Sequence, residues 1–320
     1  CLSSEAKMSS IYASNLNEEV ERYGIVGGQI AEKEEFDIIH AHDWLTYKAG
    51  IAAKKVSGKQ LVIHVHATEF DRSGGNRVNQ YVYDIEKKGM EEADKIIAVS
   101  NFTKQKIIKH YGIPADKIIV IHNAVEFEDY VVEEMHELKN NKKIVLFLGR
   151  LTLQKGPDYF VYTAKKVLEH YPDVIFVVAG SGDMERATIR RVAELGMSDK
   201  FIFTGFIHGK EVKQVYQMAD LYIMPSVSEP FGITPLESIM LGTPALISNQ
   251  SGASEVLTHC LKTDFWDTDE MANKIVSVLK HQALHNTLKK NGKKEVEKIT
   301  WDKSATRCVD VYDEMLREKN

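Results

Sequence analysis

Three cysteines in 320 residues, Cys1, Cys260 and Cys308, form no close-spaced pair. Their scarcity argues against a disulfide framework and a thiolate metal site, and fits reduced thiols in a cytoplasmic compartment. Long apolar runs are missing too. The longest, such as Ile144 to Leu148, fall far below the roughly 20 residues a membrane-spanning helix needs, and the first 20 residues hold no apolar signal core. Nor does charge of one sign dominate: 41 Lys and Arg against 46 Asp and Glu leave a net charge of -5, which excludes the basic footprint of a nucleic-acid binder. Position 1 is Cys rather than Met, and the segment through Glu35 reads as polar helix rather than an opening strand. The chain is therefore expected to begin inside a larger gene product. A glycine-rich phosphate loop near the start is absent as well. Gly27-Gly28 has no strand before it and lies in a stretch of helical character, Glu18 to Glu34, so it reads as a local weakness of that helix.

What is present is an ordinary globular composition, 43% apolar and 27% charged, long enough for about two domains. From Phe36, short β-rich runs alternate with helical patterns, which predicts parallel sheets covered on both faces. Strands are expected at Phe36 to His40, Gln60 to Val65, Lys95 to Val99 and Lys117 to Ile121. Ligands of open α/β sheets sit beyond the carboxyl ends of strands, and these ends are polar: His40-Ala41-His42-Asp43-Trp44, His64-Val65-His66-Ala67-Thr68-Glu69, Ser100-Asn101 and His122-Asn123. They suggest one polar cleft. Ser100 also fits a helix cap, and Asp71 to Asn76 is expected to be a mobile surface loop near the cleft. The acidic segment Glu126 to Asn141 reads as the connection to a second domain that begins at Lys143, with the boundary near 142.

The second half opens on the strand Lys143 to Leu148, which runs into Gly149-Arg150-Leu151-Thr152-Leu153-Gln154-Lys155-Gly156. Arg as a bidentate fork and Lys as a point charge, on one loop, can both reach one diphosphate. Further strands are expected at Val174 to Ala179, Lys200 to Phe203, Leu221 to Met224 and Ala245 to Ile247. The turn Gly180-Ser181-Gly182 lacks the third glycine of a dinucleotide fingerprint, so a dehydrogenase reading fails. After Leu221 to Met224 comes Ser228-Glu229-Pro230-Phe231-Gly232-Ile233-Thr234-Pro235-Leu236-Glu237. Pro235 suits the first position of a helix running to Leu241. Free backbone N–H groups there, at Gly232 and Ile233, suit an anion, while Glu229 and Glu237 can accept hydrogen bonds from hydroxyls. Asp264 to Asp269 contains Asp-x-Asp, but Asp267 ahead of Glu270 reads as a helix cap rather than a metal ligand. No metal site is expected.

The E-x7-E run EPFGITPLE followed by Gly242-Thr243-Pro244, together with Gly149-Arg150 and Lys155-Gly156, resembles the retaining glycosyltransferases of family 4, in particular glycogen and starch synthase-like members. That resemblance implies a GT-B fold, with two Rossmann-like doubly wound α/β domains facing a cleft: residues 1–142, incomplete at the start, and 143–300, with the helix 301–320 crossing back onto the first. It implies a metal-independent hexosyltransferase without cofactor that moves a glucosyl group from a nucleoside diphosphate sugar such as UDP- or ADP-glucose to a carbohydrate acceptor, with an α-glucan implied by the His40 to Thr46, His66 to Phe70 and Ile121 to Asn123 strings. His66 and Glu229 would be catalytic. Arg150, Lys155, Gly232 and Ile233 would hold the diphosphate, Glu229 and Glu237 the sugar and ribose, and Gly180, Gly182, Phe206 and Ile207 the nucleotide pocket. His42, Asp43 and Glu69 would lie on the acceptor side. Two other readings remain open: a protein that binds nucleotide sugars without transfer, because the opening glycine loop is missing, and a nucleotide-sugar epimerase.

Overall fold

The computed structural model of the protein describes residues 16–75, 77–126 and 142–318. Two sheets organise it, and all their pairings are parallel. The first runs β1 (Ile38–His42), β2 (Gln60–Val65), β3 (Lys95–Ala98), β4 (Ile118–Val120) in chain order. The second is built from β5 (Lys143–Leu148), β6 (Val174–Ala179), β7 (Phe201–Gly205), β8 (Leu221–Met224), β9 (Ala245–Ser248) and β10 (Leu261–Thr263), arranged β10-β9-β8-β5-β6-β7. The chain winds outward from β5 through β7, then returns to lay β8 on the other side of β5. That reversal makes the carboxyl ends of β5 and β8 the switch point of the sheet, where open α/β folds bind ligands.

Parallel sheets bury both faces, so their central strands are largely apolar. In β5, Val145 and Phe147 enter one core with Phe160, Phe176 and Ile275, while Ile144 and Leu146 enter the other with Tyr216, Tyr222 and Leu236. The first sheet uses the same alternation. Leu61, Ile63, Ile96 and Ala98 pack with Tyr47, Ile51 and Met90, which belong to the helices Asp43–Ser57 and Gln80–Glu92. Val62, Ile97 and Ile121 face Val311 and Met315 of the helix Trp301–Glu318. The last helix thus crosses back and closes the second face of the first sheet.

Several expectations shift. The first strand lies two residues further on and takes in His42. β10, absent from the sequence reading, is only three residues long and half-buried at two of them. Pro235 is the second rather than the first residue of its helix, Thr234–Met240. Asp71 is no loop residue: it ends the first turn of the helix Glu69–Arg72 and is fully buried. Of the acidic connection, residues 127–141 lie outside the described residues. The Gly27-Gly28 pair serves packing. Both lie on the helix Leu16–Ala31, where a Cβ on Gly27 would stand 2.7 Å from the Cβ of Ala49 in the facing helix.

Candidate active site

A cleft of about 560 Å³ opens between the two sheets. Its second-sheet wall comes from the switch point. The loop after β5 brings Arg150, Gln154 and Lys155, and the loop after β8 brings Glu229 through Thr234. The β5 loop can take this path because its neighbours lack side chains where backbones touch: a Cβ on Gly180 would meet the Gly149 carbonyl at 2.1 Å, and one on Gly182 the Leu151 carbonyl at 2.3 Å. The Gly-x-Gly turn after β6 therefore braces the Arg150 loop and does not itself line the cleft. Gly232 turns at φ +93°, in the left-handed region, with Glu229 Cγ and Met224 within 3.1 Å of where a Cβ would sit.

Glu229 is nearly buried, at 6% exposure. Its backbone N–H donates to the Gln250 carbonyl at 2.9 Å and its carbonyl accepts from Gly252 at 3.0 Å. Its carboxylate accepts from Ser226 Oγ at 3.1 Å and from the Lys155 ammonium. The expected phosphate lysine and sugar glutamate thus form an ion pair. Glu237 stands apart from the cleft lining and accepts from Tyr216 Oη at 3.2 Å; burial raises its carboxyl pKa, against the Tyr216 hydrogen bond. Phe206 is 76% exposed beyond β7 and Ile207 packs on the second-sheet core; neither is among the residues lining the cleft.

The first-sheet wall comes from the ends of β1 and β2: Asp43, Trp44, His66, Ala67 and Glu69. Asp43 adopts φ +56°, unusual for a residue with a side chain. Its Oδ1 accepts the backbone N–H of His66 at 2.8 Å and of Ala67 at 3.3 Å, which fixes the turn that presents His66. His42 is exposed beside the cleft, 3.0 Å from His66 through its Nδ1. Glu69 is nearly buried and pairs with Arg72 at 3.2 Å. Arg72, missed by the sequence reading because its segment was taken for a loop, also binds the buried Glu86. Burial pushes the Glu86 carboxyl up to about 7, against the opposing pull of Arg72.

The two walls are joined by polar contacts, those of Asp71 and Ser100 buried. Asp71 accepts from Thr68 N and Oγ1 at 2.8 and 2.7 Å, from Lys106, and from Ser228 Oγ of the second sheet at 2.6 Å. Ser100, the cap of the helix Asn101–Lys106, accepts from Thr103 N and donates to the Pro230 carbonyl. Glu255 crosses the other way and accepts from the backbone N–H groups of Asn101 at 2.9 Å and Phe102 at 2.7 Å and from His122 Nε2 at 2.9 Å. Ser228 and Pro230 flank Glu229, so the contact between domains holds the catalytic candidate in place. Asp267 accepts from the N–H of Glu270 as a helix cap, and Asp269 pairs with Lys166.

The family model described as Glycosyl transferases group 1 matches residues 132–295, and that described as Glycosyltransferase Family 4 matches residues 27–129. An uncharacterized glycosyltransferase of Methanocaldococcus jannaschii is 33% identical over 319 residues, covering 94% of this chain and 80% of its own. Among solved structures, a sucrose-phosphate synthase from Thermosynechococcus elongatus superposes with a TM-score of 0.83 at 22% identity over 98% of this chain and 82% of its own. Anabaena HepE, in complex with UDP and glucose, does so with a TM-score of 0.79 at 19% identity, covering 91% and 81%. Among the described residues no helix is long and apolar enough to cross a membrane. With two parallel-sheet domains folded like GT-B glycosyltransferases, a cation loop and a glutamate turn at one switch point, and family matches along both halves, the chain belongs to the group 1 glycosyl transferases.

Proposed function

We propose that the protein transfers a hexosyl group, a glucosyl group in the first instance, from a nucleoside diphosphate sugar to a carbohydrate acceptor with retention at the anomeric carbon, as in family 4, and that an α-glucan is the acceptor. The single observation that carries this reading is that Arg150, Lys155, Glu229 and Gly232 share one cleft with His66. In the reaction the bond from the anomeric carbon to the diphosphate oxygen breaks, a bond to the acceptor hydroxyl oxygen forms, and the hydroxyl proton leaves with the diphosphate. Negative charge grows on the leaving group, so cations already aimed at it stabilise the transition state more than the ground state. Arg150 and Lys155 supply that charge, with the amides of Gly232 and Ile233 beside them, and no metal is needed for this step. Glu229 accepts from sugar hydroxyls. It also holds Lys155 until the diphosphate arrives and takes over as the partner of the ammonium. His66, oriented by Asp43, meets the sugar from the acceptor wall. UDP-glucose is the first donor to try, since HepE has been captured with UDP and glucose.

The test is Lys155→Ala assayed with UDP- and ADP-glucose and an α-glucan primer. The loss of a charge-assisted hydrogen bond, roughly 1.5 to 3 kcal/mol, lowers kcat about 10- to 100-fold. Unchanged turnover in Lys155→Ala overturns the phosphate assignment. Donor consumption that ignores the primer overturns the acceptor.

A further inference from the structure

We propose that His40, His42 and His64 form a site for one divalent transition-metal ion of the imidazole-binding class, such as Zn2+, Co2+ or Ni2+, behind the first-sheet wall of the cleft. The sequence shows no metal spacing because the ligands come from two strands and meet only through register. β1 and β2 pair in parallel with His42 opposite His64. Alternate residues of a strand share a face, so His40, His42, His64 and the following His66 form one stack. Ring centroids are 4.3 Å apart between His40 and His42 and between His64 and His66, and 5.2 Å between His42 and His64. One ring nitrogen from each of His40, His42 and His64 lies within 4.8 Å of the other two.

The hydrogen bonds around the stack leave nitrogens without partners where an ion would sit. His64 is 8% exposed, yet neither of its ring nitrogens has a hydrogen-bond partner. His40 uses Nδ1 on Tyr312 Oη from the last helix, and its buried Nε2 has none. His42 uses Nδ1 on His66 Nε2 at 3.0 Å. Buried polar atoms almost always have a partner; both ring nitrogens of His64 and Nε2 of His40 have none, and each neutral ring carries one lone pair that an ion could take. Metal-binding histidines commonly spend their second nitrogen on an outer partner that fixes the ring, as His40 does on Tyr312 and His42 on His66. A tetrahedral ion with bonds of about 2.0 to 2.1 Å sets its ligand atoms roughly 3.3 Å apart. The three ring nitrogens, within 4.8 Å of one another as they stand, would have to close to that spacing on binding. Through His42 the ion would also act on the orientation of His66.

The experiment uses the full chain stripped with a chelator and titrated with Co2+ and Zn2+ alone, without nucleotide sugar, so it is independent of the transferase assay. Saturable binding of one Co2+, with the visible absorption of a nitrogen-ligated tetrahedral ion and displacement by Zn2+ but not Mg2+, is the expected result. His40→Gln and His64→Leu, each checked for native circular dichroism, weaken it at least tenfold, while His208→Ala on the surface does not. Absence of saturable binding in the wild-type chain overturns the proposal, as does binding that survives both folded variants or is lost equally in His208→Ala. Should one variant fail to fold, the other and the wild-type spectrum decide.

Discussion

Asp71 sits at 0% exposure among Thr68, Lys106 and Ser228. Burial alone would raise its pKa; the adjacent Lys106 ammonium and the Ser228 and Thr68 hydrogen bonds outweigh that and hold it below the ordinary 3.8. A carboxyl depressed by folding binds fewer protons in the folded chain than in the unfolded one. Its contribution is therefore complete above pH 3.8 and is lost as the pH falls through the folded value. Replacing it leaves the half-buried Lys106 ammonium without a carboxylate and Ser228 and Thr68 without their acceptor, so Asp71→Ala is expected to lower the unfolding free energy by about 3 kcal/mol, read from the urea midpoint at pH 7. The difference from wild type should shrink toward pH 3. A variant as stable as wild type at pH 7 would show that the carboxylate contributes nothing. Cys260 offers nothing comparable: burial pushes its thiol up to about 12, which leaves it inert while the fold is intact.

At the level of elements, the helix Leu16–Ala31 lies against the helix Asp43–Ser57 at a distance set by glycine. Gly24, Gly27 and Gly28 recur on one side of the first helix, facing Lys48, Ala49 and Ala52 of the second. A side chain at Gly27 has no room, because the Ala49 Cβ and Cα stand 2.7 and 2.9 Å from the position of a Cβ. Gly27→Val is expected to cost about 1 to 3 kcal/mol, the scale of overpacking, by chemical denaturation. Gly27→Ala should lie at the lower end. A neutral Gly27→Val would mean that the two helices part without penalty. In isolation, glycine in a helix signals weakness, and only the facing helix gives it a use.

For the whole molecule, the question is what holds two sheets around one cleft. Glu255 caps the helix Asn101–Lys106 from the other domain and binds His122 beyond β4. Burial acts to raise its pKa, but the His122 and backbone hydrogen bonds together bring it below the ordinary 4.5. By the same sign argument, this link is complete above pH 4.5 and weakens as the pH falls below it. Glu255→Ala at pH 7 is expected to loosen the pair of domains, seen as a larger radius of gyration in small-angle scattering and faster proteolysis between them. Unchanged scattering at pH 7 would place the cohesion in Asp71, Ser100 and the returning helix instead.

Much of the machinery was legible along the chain. Arg150 with Lys155, and Glu229 with Gly232, lie on two short segments whose residue types and strand context are local properties, and strands such as β2, β5, β6 and β8 follow from continuous apolar runs bounded by turns. Three things were not. Asp71 reads as a loop residue because its partners Lys106 and Ser228 lie far along the chain. The stack of histidines depends on β1 and β2 lying in one register, which neither strand encodes alone. The Lys155–Glu229 ion pair, beyond the shared site the resemblance implied, forms because β8 returns beside β5, and the order of strands in a sheet is settled by how helices pack on its faces. Local chemistry was written in the sequence. Which distant groups share a desolvated space, and so which charges are held or left bare, was decided only when the sheets closed on each other.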